Sequence, residues 1–190
     1  MNLSTEKAFY KKNGYLIFNI NDNTLIDKVN KDVKSILKKG QIKKNNKIYS
    51  YNSSPRIVES YKKSLNCKKL ALHKKVIDKI FYLYGNKPKA FSTINFLRST
   101  QQPLHSDYAH FGTLPELLLV GTWVALQDIN KDSGPLQVVP GSHKFNIYRY
   151  ANHNNGNLPK SISEVKKFYS KYEKWVKNQI KTKKLKSITP

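Results

Sequence analysis

Cysteine is nearly absent: Cys67 is the one thiol in 190 residues. A lone thiol excludes an internal disulfide, so no covalent staple holds this fold, and a reducing, cytoplasmic setting is expected. Arginine is almost as scarce. Arg56, Arg98 and Arg149 are the three arginines among 35 basic residues, and only 12 acidic residues oppose them. The resulting net charge of +23 points at first to nucleic acid or an anionic surface. Yet the guanidinium fork that reads phosphate and guanine bidentately is what the chain lacks. Richness in lysine, asparagine and isoleucine is the compositional mark of an AT-biased genome. Nucleic acid is therefore not the expected partner, although the positive field favours a small anionic one. No amino-terminal h-region is present, and no apolar run approaches the ~20 residues of a membrane span. What is there in quantity is aromatic: 12% of the chain is Phe, Tyr or Trp, and each such ring brings a large area to bury. This length predicts one domain, 1–190, with a sizeable core.

The first 88 residues read as mainly helical scaffold. Ser4 is placed to cap a helix running to about Lys12, and Gly14 stands where a left-handed C′ residue is wanted. Tyr15 to Ile20 has strand character. Asn21-Asp22-Asn23 offers caps for a second helix, whose Leu25, Ile26, Val29, Val33, Ile36 and Leu37 form a stripe of 3.6-residue period, with Gly40 ending it. A strand is expected at Lys47 to Tyr51, Pro55 is placed to open a helix, and one long helix is expected over Asn66 to Tyr84. His73 on that helix reads as a half-buried packing residue. Gly85 to Pro88 is a break.

Residues 89–145 carry the chemistry. Lys89 to Arg98 reads as a strand, with Asn95 on one face and Arg98 on the other. Gln102-Pro-Leu-His105-Ser-Asp107 follows. On extended backbone, positions i and i+2 share a face with Cα atoms ~6.6 Å apart, so His105 and Asp107 can lean onto one ion. Imidazole plus carboxylate is two thirds of the facial triad that holds non-heme Fe(II). A bare His-x-Asp is common by chance; its surroundings give it weight. Leu117 to Asp128 reads as a buried central strand, Asn130 to Gly134 as a turn, and Leu136 to Val139 as a short strand. Pro140-Gly-Ser-His143 closes a corner. The last segment, 146–190, is a loop at 150–160 and a helix from Ser161 or Ser163 to about Lys184. Tyr169, Tyr172, Trp175, Val176 and Ile180 form its apolar side.

This ordered series resembles the phytanoyl-CoA dioxygenase family of Fe(II)- and 2-oxoglutarate-dependent oxygenases. The matching pieces are Phe9 to Ile17, Gln102 to Asp107, Thr122 to Asp128 and Gly134 to His143. The resemblance implies a mainly β fold with flanking helices, a double-stranded β-helix or jelly roll. It implies Fe(II) held by His105 and Asp107, with 2-oxoglutarate and O₂ as cosubstrates. By position, Asn95 and Gln102 are the residues that would hold 2-oxoglutarate, although each side chain could equally bridge backbone groups. Trp123 would face the cofactor or pack in the core. Tyr108, His110 and Phe111 would lie in a loop over the site and touch a small or acyl-type substrate; an anionic one, such as a CoA thioester or a carboxylate, would suit the charge. Pro140 to His143 is mainly structural in the family, so His143 is not assigned to the metal.

The family's distal Gly-Asp-x-x-x-aromatic-His strand and the Arg that pairs with the cosubstrate carboxylate are not found. His143 and His153 stand outside that motif context, and His153 as a substitute ligand is the remaining alternative to a truncated or a degenerate chain. A third ligand is therefore not identified. The expectation is an amino-terminal portion with an incomplete jelly roll, weak iron binding and little or no activity as this chain. The alternative is a non-catalytic basic binding protein on a degenerate jelly-roll scaffold.

Overall fold

The computed structural model describes residues 2–38, 56–97, 102–109, 111, 113, 118–148 and 161–190. They fall into two compact units that interleave along the chain. One comprises Met1–Ile17, Gln102–Trp123 and Leu136–Pro190; the other comprises Phe18–Gln101 and Val124–Pro135.

The second unit is built on α2 (Asn23–Lys38). Asp22 starts this helix, its Oδ1 accepting the Leu25 N–H at 3.0 Å. The 3.6-period stripe becomes a buried face: Leu25, Val29, Val33 and Ile36 pack with Ile57 and Cys67. The expected long helix is two. α3 (Leu65–Ala71) is capped by Ser64, and α4 (Lys74–Tyr84) begins after His73. His73 is thus an N-cap rather than a mid-helix residue. Its ring is only 13% exposed, with Nε2 3.7 Å from Asp22 Oδ2. Gly85 ends α4 at φ +75°, donating to Phe81 O. Asp32 ties α2 to α3, accepting from Ser64 Oγ at 2.6 Å and Asn66 Nδ2 at 2.9 Å. These two donors hold its carboxyl below the usual carboxylate range, against a smaller opposing effect of burial.

This unit also holds β1 (Arg56–Val58) and β2 (Ile94–Phe96), paired antiparallel with Ile57 opposite Asn95. Arg56 begins a strand, so no helix runs on from Pro55. β2 is shorter than the expected Lys89 to Arg98.

The other unit contains α1 (Leu3–Asn13) and α5 (Ile162–Thr182). Asn2, not Ser4, caps α1, and Gly14 closes it at φ +81°. Ser161 caps α5, accepting from Glu164 N–H at 3.2 Å. Phe168, Tyr172 and Val176 of α5 are buried, at the i, i+4, i+8 spacing of a helix face. Tyr148 and Trp175 enclose them, and Tyr172 lies nearly parallel to Phe168 with centroids 6.2 Å apart.

The double-stranded β-helix implied by the resemblance is not formed by the described residues. Helices predominate, and the strands are the two three-residue ones and a single bridge, Val138 to Ile188. Tyr15 to Ile20 belongs to no strand, and neither do residues 118–128. The latter are not a buried central strand either: Leu118 is 42% exposed and Trp123 48%. Apolar and β-branched residues favour extended backbone, but a strand also needs a neighbour to complete its hydrogen-bond ladder. Among the described residues β1 and β2 alone meet that condition over consecutive positions. The expected strand at Lys47 to Tyr51, Gly40 and the loop at 150–160 lie outside the described residues, as do Arg98, His110, Leu117, Arg149 and His153.

Candidate metal centre

His105 and Asp107 converge. Asp107 opens a short 3₁₀ turn, Asp107–Ala109, that follows an irregular segment rather than a strand. The turn brings His105 Nε2 to 3.5 Å from Asp107 Oδ1. Their side chains are 29% and 53% exposed, so solvent reaches the pair. At metal–ligand bonds of about 2.1 Å, two donors at a right angle stand roughly 3.0 Å apart. The observed separation is close to that of a chelating pair.

The other imidazole nitrogen decides the chemistry. Nδ1 lies 2.7 Å from Pro103 O. A carbonyl only accepts, so the Nδ1 nitrogen carries the proton and donates. In the neutral ring, Nε2 then presents a lone pair to a carboxylate oxygen. Two acceptors facing one another require a positive charge between them: a proton on Nε2 or a metal cation. A histidine whose outer N–H is held by a backbone carbonyl is the usual arrangement around a bound metal. The donor set, one imidazole and one carboxylate, fits ferrous iron as the sequence implies. Among the described residues, no group of three His, Cys, Asp or Glu side chains converges to hold a metal.

Three features hold the pair, and local sequence signals none of them. The Ser106 N–H, between His105 and Asp107, donates to the Tyr172 hydroxyl on α5. Tyr172 O–H in turn lies 3.5 Å from Ser106 O. Tyr172 is 2% exposed, and burial pushes its phenol pKa up, so the group stays protonated. Leu104 and Ala109, on either side of the pair, pack onto the Phe168–Tyr172–Val176 face. Finally, Gly121 passes close to the carboxylate: a Cβ there would stand 2.9 Å from Asp107 Oδ2. Tyr172 reads in the sequence as one more apolar position on a helix stripe, and Gly121 as a gap in an apolar run.

The remaining expected residues are dispersed. Tyr108 is half-buried in the turn, its N–H donating to Ser106 Oγ at 3.3 Å. Phe111 N–H donates to Asp107 O at 2.9 Å, and the ring is 38% exposed. Gln102 is half-buried just before the pair. Trp123 is too exposed to be a core residue. Asn95 belongs to the other unit, on β2, where its Oδ1 is buried with no hydrogen-bond partner among the described residues. His143 sits elsewhere, at the end of α1. Its Nε2 lies 3.1 Å from Lys11 O, its ring covers Gly14, and Gly141 N–H donates to Asn13 O at 2.8 Å.

Comparison with known proteins agrees with the motif series. The sequence model of the family described as Phytanoyl-CoA dioxygenase (PhyH) matches residues 10–181. The rat protein named "Phytanoyl-CoA dioxygenase, peroxisomal" is 29% identical over 100 residues, which is 53% of this chain and 26% of the rat protein. The human protein of the same name is 36% identical over 50 residues, 26% of this chain and 15% of its own. The mouse protein is 38% identical over 47 residues, 25% and 14% respectively. The alignments thus span about a quarter or less of these relatives' length. No solved structure matches the chain. With the family's pattern matched over most of its residues, the chain belongs to the phytanoyl-CoA dioxygenase (PhyH) family.

Proposed function

We propose that this chain carries the metal-binding half of an Fe(II)- and 2-oxoglutarate-dependent dioxygenase that hydroxylates a small or acyl-type substrate. The observation that carries this reading is the His105–Asp107 pair, with imidazole Nδ1 donating to Pro103 O and Nε2 turned to the carboxylate at 3.5 Å. His105 Nε2 and Asp107 Oδ1 would hold the iron. Iron with 2-oxoglutarate and O₂ would supply the oxidising power for C–H hydroxylation, with the oxoacid converted to succinate and CO₂. The chain's own residues orient and shield. Pro103 O fixes the imidazole, and Tyr108 and Phe111 offer apolar surface beside the pair. Gln102 is the proposed polar contact to the cosubstrate, with Trp123 as further lining.

The proposed scaffold is the cupin-like jelly roll of the family. The high positive charge favours an anionic substrate. Cys67, free and buried, suits a reducing, cytoplasmic location. Among the described residues no helix is long and apolar enough to cross a membrane.

The test is metal binding with cosubstrate turnover. Titration of the chain with Fe(II) under anaerobic conditions should show weak 1:1 binding that His105→Ala and Asp107→Ala each abolish. Succinate release from 2-oxoglutarate should be slow and should depend on both residues. Binding that survives His105→Ala unchanged would refute the assignment.

A further inference from the structure

We propose that Tyr172 is the positioning residue of the metal pair: its buried hydroxyl, hydrogen-bonded to the backbone of Ser106, sets the spacing between His105 and Asp107. The inference rests on the metal-binding reading above. It differs in placing the control of the site on a helix some sixty residues further along the chain.

The geometry is direct. Ser106 is the one residue between the two ligands, so whatever fixes its peptide fixes the angle at which both side chains leave the backbone. The Ser106 N–H donates to Tyr172 Oη, and the same hydroxyl faces Ser106 O at 3.5 Å. One phenol thus faces both backbone polar groups of one residue. The phenol itself cannot drift. It is 2% exposed and lies against Phe168 and Trp175, with centroids 6.2 Å from each, and Tyr148 at 5.4 Å. α5 is capped by Ser161 at its start, and its Phe168 and Val176 are buried on the same face as Tyr172. A rigid donor–acceptor on a packed helix therefore holds the peptide between two partly exposed side chains. A site held to within a fraction of an ångström by a packed neighbour binds more tightly than one that must order itself on binding. The tyrosine touches neither the ion nor a substrate; it acts through Ser106.

The experiment compares Tyr172→Phe with the unaltered chain, using Co(II) in place of Fe(II) because its d–d bands report the ligand field. Phenylalanine keeps the ring and its packing and removes the hydroxyl alone. Loss of one such hydrogen bond predicts a fall in Co(II) affinity of about fivefold, with altered d–d bands and nearly unchanged thermal unfolding. Hydrogen exchange gives a second readout that needs no variant: the Ser106 amide should be protected in the unaltered chain although it lies in an exposed turn. Equal affinity and identical bands in Tyr172→Phe would overturn the proposal, as would a freely exchanging Ser106 amide. The two readings fail differently. If His105→Ala binds Co(II) as well as the unaltered chain, the metal site itself is wrong. If His105→Ala loses binding and Tyr172→Phe does not, only the positioning role falls.

Discussion

Substituting Gly14 by alanine isolates the contact between the end of α1 and the His143 ring. Gly14 closes α1 at φ +81°, ψ 7°, in the left-handed region. An alanine there costs about 1–2 kcal/mol from the clash of Cβ with the following carbonyl. A second effect adds to this. The new Cβ would stand 2.2 Å from His143 Nδ1 and 2.6 Å from Cγ, so the ring must move or α1 must lift. Overpacking of this kind costs about 1–3 kcal/mol, giving a total of roughly 2–5 kcal/mol. His143→Ala removes the ring and with it the second effect, leaving about 1–2 kcal/mol for the same glycine substitution. Equilibrium urea unfolding of the four combinations measures this coupling as a double-mutant cycle. Gly14→Ala should lower the midpoint markedly in the His143 background and mildly in the His143→Ala background, and Fe(II) affinity should be the same in His143→Ala as in the unaltered chain. If Gly14→Ala costs the same in both backgrounds, His143 does not cover Gly14. If His143→Ala loses iron, the turn is part of the metal site after all.

Gly121→Ala should weaken Co(II) binding severalfold with little change in thermal stability, because a Cβ 2.9 Å from Asp107 Oδ2 would turn the carboxylate away; isothermal titration of the variant checks this, and unchanged affinity would count against the close approach. Asp32 should make stability depend on acid. Its folded-state pKa is lowered, chiefly by the Ser64 hydroxyl and then by Asn66, so its contribution is present above the ordinary carboxylate pKa and lost as pH falls through the lower folded value. The stability gap between the unaltered chain and Asp32→Asn should therefore be wider at neutral pH than in strong acid, as followed by urea unfolding; a constant gap would contradict the assignment. The charge of +23 should retain the chain on heparin at low salt and release it well before the salt concentrations that specific nucleic-acid binders resist. Retention persisting at high salt would favour the basic binding protein over the oxygenase.

Sequence by itself determined what depends on neighbours along the chain. The stripe from Leu25 to Ile36, the left-handed stop at Gly14 and the Ser161 cap are local patterns, and each stands in the structure as the residues require. The His105-x-Asp107 spacing brings an imidazole and a carboxylate to 3.5 Å from one another, although at the start of a turn rather than on a strand. Where the outcome depended on a distant partner, local pattern was not enough. The apolar run at 118–128 favours extended backbone, yet no partner completes a ladder there among the described residues, and the segment stays irregular and largely exposed. The break at Leu72 and His73 splits a helix that periodicity alone would have continued.

Only the tertiary structure could make Tyr172 the residue that holds Ser106, or Gly121 the space that Asp107 needs. A hydrogen bond across 66 residues leaves no periodic trace in the sequence. Its energy depends on a distance and an angle, and those exist only once the helix and the turn have packed.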